Sequence, residues 1–211
     1  MKCLIVTGGE PPGIELLDRL AEGADLLIGV DGAAGLLRKR GLVPGILIGD
    51  FDTAEPETVL EMERRGAKII RLKAEKNETD TEAALSAALR AGADDITVTG
   101  ALGGRIDHAL SNIMMLVKAE SAGARCRLID EAAEIFVSNG EVVFCGEPGR
   151  TVSILPLTGE VTVCSSGLKY PLDSLKLKWG SSRGISNVMT GGEASLRISG
   201  GYALVIMNLK R

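Results

Sequence analysis

The chain has few of the residues that usually mark a zinc, redox or nucleic-acid-binding protein. Of its 211 residues only 3% are aromatic, one is histidine and four are cysteine, and no two cysteines have the C-x-x-C spacing. A zinc site is therefore not expected. The net charge is −4 and there is no basic tract, so nucleic acid is not an expected partner.

Long apolar runs and leader signals are also missing. No hydrophobic run is long enough to cross a membrane, and Met1-Lys2-Cys3 leads straight into an apolar strand rather than a signal peptide. We therefore expect a cytoplasmic protein without a membrane partner, in which most of the four cysteines are reduced and buried. Its 45% of hydrophobic residues is enough to form a folded core.

Two common phosphate-binding motifs, G-x-x-x-x-G-K-[ST] and G-x-G-x-x-G, do not occur in the chain. A nucleotide site would therefore need another arrangement. Open α/β sheets bind ligands beyond the carboxyl ends of their strands. The residues that directly follow apolar runs are therefore the candidates for ligand binding.

The strongest candidates are Asp50 and Asp52, which follow the apolar run 46–49. Such a run is typical of a buried parallel strand. Residues two apart in an extended chain point the same way, and a hard cation such as Mg²⁺ relieves the repulsion between two close carboxylates. From these residues alone, loop aspartates that cap a helix starting near Pro56 are an equally good interpretation.

Other apolar runs end in similar chemistry. Leu4–Thr7 leads into Gly8-Gly9, Asp25–Val30 into Asp31-Gly32, and Ile96–Thr99 into the glycine-rich turn that ends at Arg105. If these strands are parallel, their ends share one crevice with three aspartates, flexible glycines and an arginine. That combination suits a metal-bound polyphosphate.

The pattern of elements changes near residue 130. Before it, short apolar runs alternate with helical patterns, which predicts a parallel sheet covered by helices. After it, short strands separated by turn signals such as Asn139-Gly140 predict an antiparallel sandwich or partly closed barrel. We therefore predict two domains, 1–130 and 131–211. Trp179, the sole tryptophan, is expected to fill the core of the second one.

The segment 76–82 combines a lysine with several acids before an alanine-rich helix. Thr79 and Glu82 have the spacing of a capping box, which explains part of the cluster. Capping does not require Asp80, which could complete a metal site with Asp50 and Asp52. Helix capping and a metal site are equally supported here.

The turn Gly100–Gly104 precedes another predicted helix. Glycine lets a backbone approach a ligand closely, and Arg105 could fork onto phosphate oxygens. The helix is expected to bury one stripe, formed by Ile106, Leu110, Ile113, Met114 and Val117. His108, on another face with Asp107, Ser111 and Asn112, is a weak candidate for a general base, since a lone histidine is more often structural.

Taken in order, these segments resemble the thiamin pyrophosphokinase (thiamine diphosphokinase) family from about Asp31 to Ile206. The motifs that carry the resemblance are Asp31-Gly32, Gly49-Asp50-Phe51-Asp52, Thr79-Asp80-Thr81-Glu82, Gly100–His108, Gly167-Leu168-Lys169-Tyr170-Pro171-Leu172 and Gly184-Ile185-Ser186-Asn187.

The resemblance implies an α/β protein with an N-terminal Rossmann-like catalytic domain and a C-terminal antiparallel β-sandwich domain that binds thiamin. It also implies transfer of pyrophosphate from ATP to thiamin, with Mg²⁺, in a homodimer whose active sites lie between subunits. By position it implies metal ligands Asp50, Asp52 and Asp80, catalytic Arg105, and nucleotide contacts Asp31, Gly32, Thr79, Gly100, Gly103, Gly104, Arg105, Asp107 and Asn112. Ser186 and Asn187 match the thiamin loop, expected from the partner subunit.

The chain departs from the family pattern at a few places. Asp31-Gly32-Ala33-Ala34-Gly35 stands where the family often has Asp-Gly-Gly-Ala-Asn, Asn77 stands where it has aspartate, and Val188 stands where bacterial members tend to have glutamate. Two alternatives remain for the function. One is a related pyrophosphokinase for a hydroxymethyl-pterin, and the other is a non-catalytic nucleotide or thiamin-diphosphate sensor.

Overall fold

A computed structural model describes residues 1–73, 75 and 77–209. The chain divides into two compact units between Glu131 and Ala132. Below they are called the N-terminal unit and the C-terminal unit. None of the helices in these described ranges has the length and apolar character needed to cross a membrane.

The N-terminal unit alternates strands with helices, as the sequence predicts. Its strands are β1 (Lys2–Val6), β2 (Leu26–Val30), β3 (Ile46–Gly49), β4 (Lys68–Arg71), β5 (Asp95–Thr99) and β6 (Arg125–Ile129). Its helices are α1 (Ile14–Glu22), α2 (Ala33–Lys39), α3 (Pro56–Arg64), α4 (Asp80–Arg90) and α5 (Ile106–Ser121).

All pairings among these six strands are parallel, in the order β6-β5-β1-β2-β3-β4. The chain builds the sheet outward from β1 to β4 and then returns to place β5 on the other side of β1. In open α/β sheets such a reversal of strand order leaves a crevice at the carboxyl ends, where ligands bind. Here that crevice lies beyond β1 and β5.

One face of this sheet is covered by a core of apolar side chains. Leu4, Leu47 and their neighbours on the strands pack against Leu17 of α1, Leu37 of α2 and Met62 of α3, and all five are fully buried. Burial of a leucine-sized side chain stabilises a fold by about 1.5–3 kcal/mol. The strand ends are therefore held on a rigid platform.

The described residues of the C-terminal unit form eight strands in two antiparallel sheets. The strands are β7 (Ala133–Ser138), β8 (Glu141–Cys145), β9 (Thr151–Pro156), β10 (Glu160–Ser166), β11 (Leu175–Lys178), β12 (Asn187–Val188), β13 (Glu193–Ser199) and β14 (Ala203–Asn208). One sheet has the order β12-β9-β14-β7 and the other β11-β10-β13-β8. Ile154 and Val205 of the first pack with Val163 and Leu196 of the second in one buried core, which confirms a sandwich rather than a barrel.

Two expectations about buried side chains are wrong. Helix α5 leaves Ile106, Leu110 and Met114 exposed at 77%, 55% and 66%, and instead buries Met115, Leu116 and the polar Asn112. The apolar stripe is present in the sequence, but in this unit the sheet covers a different side of the helix. Periodicity alone cannot say which side is covered.

Trp179 is 67% exposed and does not fill the core of the sandwich. Strand β11 alternates a buried Leu177 with exposed lysines and ends at Lys178. Directly after Trp179, Gly180 takes a φ of 80°, which turns the chain away from the sheet. The side chain therefore leaves the inward position that strict alternation would have assigned to it.

Candidate active site

Three aspartates come together at the carboxyl ends of β2 and β3. Asp31, Asp50 and Asp52 each place one carboxylate oxygen within 4.8 Å of the others. We call these three residues the acid cluster. The backbone at this site is unusual, because Asp31 and Phe51 have φ values of 45° and 61°, in the left-handed region that residues other than glycine rarely adopt. Such conformations persist where the surrounding structure enforces them, often at functional sites.

Hydrogen bonds hold Asp31 in the cluster. Its backbone N–H donates to the Ile48 carbonyl at 2.9 Å, and the Thr53 hydroxyl donates to its Oδ2. Its other oxygen, Oδ1, is buried and has no hydrogen-bond partner among the residues that the structure describes. A buried carboxylate oxygen without a donor is costly unless a cation or a ligand donor satisfies it.

The neighbouring acids raise the affinity of Asp52 for a proton. The pKa of Asp52 is raised above its usual value, chiefly by the charge of Asp50, then by desolvation and by the charges of Asp31 and Asp80. Oxygen donors that crowd together at this spacing suit a hard divalent cation. The residues therefore fit the Mg²⁺ predicted from the sequence.

Asp80 lies outside the acid cluster, at the first position of α4. The cap of that helix forms as the sequence predicts, since the Thr79 hydroxyl accepts the Glu82 N–H at 3.1 Å. The reciprocal half of the capping box is replaced, because the Glu82 carboxylate pairs with Lys118 at 3.0 Å. Lys76, which the sequence associates with these acids, lies outside the described residues.

The glycine-rich turn after β5 approaches the strands closely. Gly100, Gly103 and Gly104 all have φ values between 64° and 82°, and a Cβ on Gly100 would lie 2.7 Å from the Thr7 carbonyl oxygen. Only glycine fits without strain there. Asn112 is buried, and its Nδ2 donates to the Ala101 carbonyl at 2.8 Å. Asn112 thus fixes the shape of the turn.

Arg105 and Asp107 form an exposed bidentate pair at the start of α5. Arg105 Nε and Nη2 donate to the two oxygens of Asp107 at 3.1 and 2.6 Å. The guanidinium holds the pKa of Asp107 down to about 2, and the carboxylate raises the pKa of Arg105. A phosphate offers the same forked acceptor as a carboxylate. Arg105 therefore has the geometry to exchange Asp107 for a phosphate.

In the C-terminal unit, Ser186 and Asn187 lie before and in β12. Ser186 has a φ of 61°, and its N–H donates to the Ser153 hydroxyl at 3.1 Å. Asn187 is buried, with Oδ1 accepting the N–H groups of Tyr170 and Val188 and Nδ2 donating to the Tyr170 carbonyl. Its amide therefore ties β12 to the loop 167–172, a structural use that sequence reasoning missed.

Sequence reasoning also missed Arg71 at the end of β4, whose guanidinium carbon lies 5.2 Å from the centroid of the Phe51 ring. The signal was available, since Arg71 follows the apolar pair Ile69-Ile70 and the strand-end rule applies to it as well. Neither Glu10 nor the hydroxyl of Thr53 entered the predicted site. Glu10 lies against the glycine turn, where a Cβ on Gly103 would meet its carboxylate.

Carboxylates grouped at strand ends, beside a glycine turn and a forked arginine, define a class of protein that binds a polyphosphate with a divalent cation. Comparisons with known proteins narrow this class. The family "Thiamin pyrophosphokinase, catalytic domain" matches residues 17–128, and "Thiamin pyrophosphokinase, vitamin B1 binding domain" matches residues 135–202. The chain belongs to the thiamin pyrophosphokinase family, as the sequence motifs predict.

Individual relatives agree with this assignment. The thiamine pyrophosphokinase of Bacillus subtilis is 31% identical over 205 residues, which cover 96% of each chain. The crystal structure of thiamine pyrophosphokinase from Bacillus subtilis superposes with a TM-score of 0.87 at 28% identity over all of both chains. A family member from Enterococcus faecalis gives 0.87 at 27% identity, again over all of both chains.

Proposed function

We propose that this protein transfers a pyrophosphoryl group from ATP to the hydroxyl of thiamin, giving thiamin diphosphate and AMP. The family matches over both units support the reaction, and the acid cluster is the observation that carries it. Neither the pterin reaction nor a sensor role is favoured by the relatives.

The proposal assigns a Mg²⁺ ion to the acid cluster, with Asp80 nearby at the start of α4. When bound there, the cation would neutralise phosphate charge and orient the polyphosphate. Asp50 and Asp52, on either side of Phe51 in the sequence, would supply oxygens, and Asp31 would supply its buried Oδ1, which has no hydrogen-bond partner within the described ranges. Thr53 keeps the Asp31 carboxylate in place.

Other residues of the N-terminal unit would hold the nucleotide. The backbone of Gly100 closely approaches Thr7, which directly follows β1, and the same turn leads to Arg105. The thiamin hydroxyl oxygen would attack the β-phosphorus in line as the bond to the oxygen of the leaving AMP breaks. Because positioning and electrostatic stabilisation dominate such transfers, a strong general base is not required.

The proposal divides the work between 1–130, which would bind ATP and Mg²⁺, and 131–211, which would bind thiamin. The hydroxyl of Ser186 makes no hydrogen bond to any residue that the structure describes, so it is available to a substrate. The amide of Asn187 is used by the loop 167–172. We therefore propose Ser186 as the thiamin contact and Asn187 as the residue that holds the loop.

We also propose a homodimer. The exposed apolar side chains of Ile106, Leu110 and Met114 form a stripe along α5, spaced by four residues. Contiguous exposed apolar patches mark interaction sites. A charge in this stripe, as in Leu110→Glu, should shift the sedimentation coefficient toward that of the monomer. Glu63→Lys, which reverses the charge of an exposed residue outside the stripe, should leave the sedimentation coefficient unchanged. The cytoplasmic location stays a prediction of the sequence.

The deciding experiment follows AMP release from ATP and Mg²⁺ with and without thiamin, with the products separated by chromatography. Thiamin-dependent AMP with an equal amount of thiamin diphosphate is the expected result. A hydroxymethyl-pterin competitor should not reduce the yield. Tight binding of thiamin without any AMP would instead support a sensor and contradict the proposal.

A further inference from the structure

Arg71 lies beside the acid cluster through the register of the sheet. It is the last residue of β4 and pairs with Gly49, the residue directly before Asp50. Its guanidinium carbon lies over the ring of Phe51, 5.2 Å from the ring centroid, and Phe51 stands between Asp50 and Asp52 in the chain. Phe51 is itself half-buried and packs against the core of the N-terminal unit. The arginine is therefore held on a fixed surface at the edge of the site.

The partners of Arg71 contrast with those of Arg105. The guanidinium of Arg105 forms an ion pair with the carboxylate of Asp107. Arg71 makes no ion pair or hydrogen bond with any residue in the described ranges, and its ring contact is with Phe51. A guanidinium that lies over an aromatic ring does not use its N–H donors in that contact. The donors of Arg71 are therefore available to an anion.

We propose that Arg71 is a substrate-contacting residue that binds the phosphates of ATP beyond the α-phosphate, with Phe51 orienting it. This inference rests on the proposed function. A polyphosphate approaching the acid cluster meets like charge, so the site needs cations in addition to a metal ion. A cation held by the acid cluster would neutralise phosphate charge, and the residues next to these acids would face the same part of the nucleotide.

The test compares binding of a non-hydrolysable ATP analogue and of AMP, each with Mg²⁺, by calorimetric titration. Arg71→Gln removes the charge and the fork, and it should weaken binding of the analogue by about tenfold or more. AMP affinity should change by less than about twofold, because AMP lacks the phosphates that Arg71 contacts. In turnover assays the KM for ATP should rise more than that for thiamin.

Two further variants sharpen the test. Arg71→Lys keeps the charge without the planar fork, and it should recover part of the lost affinity. Arg125→Gln removes an arginine of β6 whose side chain is 83% exposed, and it should bind the analogue as the unmodified protein does. Thermal melting of each variant checks that the fold is retained.

The inference is overturned if Arg71→Gln binds the analogue with unchanged affinity, or if it weakens the analogue and AMP equally in a folded protein. These outcomes can be distinguished from failure of the proposed function, because the titration needs no thiamin. If Arg71→Gln weakens binding of the analogue but not of AMP, and the protein forms no thiamin diphosphate, the proposed reaction is contradicted while the nucleotide contact is supported. A protein that does not bind the analogue at all contradicts both.

Discussion

The two units handle their polar groups in opposite ways. In the N-terminal unit the acid cluster gathers carboxylates that raise the pKa of Asp52, and Asp31 Oδ1 is buried without a hydrogen bond from any described residue. In the C-terminal unit the buried Asn187 uses both ends of its amide within the protein. Unsatisfied groups of the first kind point to a bound ion or substrate, whereas satisfied groups of the second kind stabilise the loops that bind it.

The cysteines show the same contrast. Cys3 and Cys126 are buried in the parallel sheet, and burial raises the pKa of each thiol to about 12. Cys145 and Cys164 lie on the antiparallel sandwich, where they are exposed and partly exposed. A sheet with helices on both faces buries both faces of its strands, but an outer face of a sandwich stays open to solvent. Only half of the cysteines thus meet the expectation of buried thiols.

Removal of one carboxylate from the acid cluster should have the largest effect on activity. Asp52→Asn takes away an oxygen donor and charge, so we expect the turnover rate to fall by about 10³-fold. The measurement is AMP release at saturating ATP and thiamin. Glu63→Gln, which neutralises an exposed acid on α3, is the matched control, and near-native turnover of Asp52→Asn would contradict the assignment.

The same variant tests the electrostatic side of the comparison. The raised pKa of Asp52 means that the folded protein binds this proton more tightly than the unfolded chain does. Its favourable contribution is therefore present at low pH and is lost as the pH rises through the folded pKa. Asp52→Asn should raise the melting temperature at pH 7 without metal, and the gain should shrink near pH 4. No gain at pH 7 would contradict repulsion in the cluster.

The next largest effect is expected at Asn187. Asn187→Ala leaves the backbone groups of Tyr170 without partners, which should lower the free energy of unfolding by about 1–3 kcal/mol and raise the KM for thiamin. Ser186→Ala should raise the KM for thiamin with little change in stability. Urea denaturation and initial rates measure the two quantities, and the reverse pattern would exchange the roles given to these residues.

Thiol reactivity should distinguish the units without changing a residue. Alkylation at pH 8 should modify Cys164 first, because hydrogen bonds from Ser174 lower the pKa of its thiol. Cys145 should follow, and the two buried thiols should react only in denaturant. Mass spectrometry of the peptides gives the order. Early labelling of Cys3 in the folded protein would show that the parallel sheet is less protected than its burial implies.

The smallest effect is expected at His108. This side chain is exposed on α5, and its backbone N–H donates to Asp107 at 3.0 Å. If no general base is required, His108→Asn should change the turnover rate by less than about threefold. A loss of a hundredfold in the turnover rate would restore histidine as the base.

Much of the fold was predictable because it depends on local pattern. The alternation of apolar runs and helices, the change of character near residue 130 and the positions of Asp31, Asp50 and Asp52 after strands all follow from periodicity and strand-end rules. The short strands β11 and β12 were not predicted, because polar connections conceal them. The family resemblance depended on the order of the motifs and was confirmed by the matches over both units.

By itself the sequence determined which residues end the strands, and hence which acids, glycines and arginines could meet. Tertiary structure alone decided the rest. Strand order placed Asp31 beside Asp50 and Asp52, and the register of β4 brought Arg71 onto Phe51. Tertiary structure also left the apolar stripe of α5 exposed and placed the amide of Asn187 where it hydrogen-bonds the loop 167–172. The physical reason is that periodicity specifies a face, whereas only the packed neighbours determine what covers it.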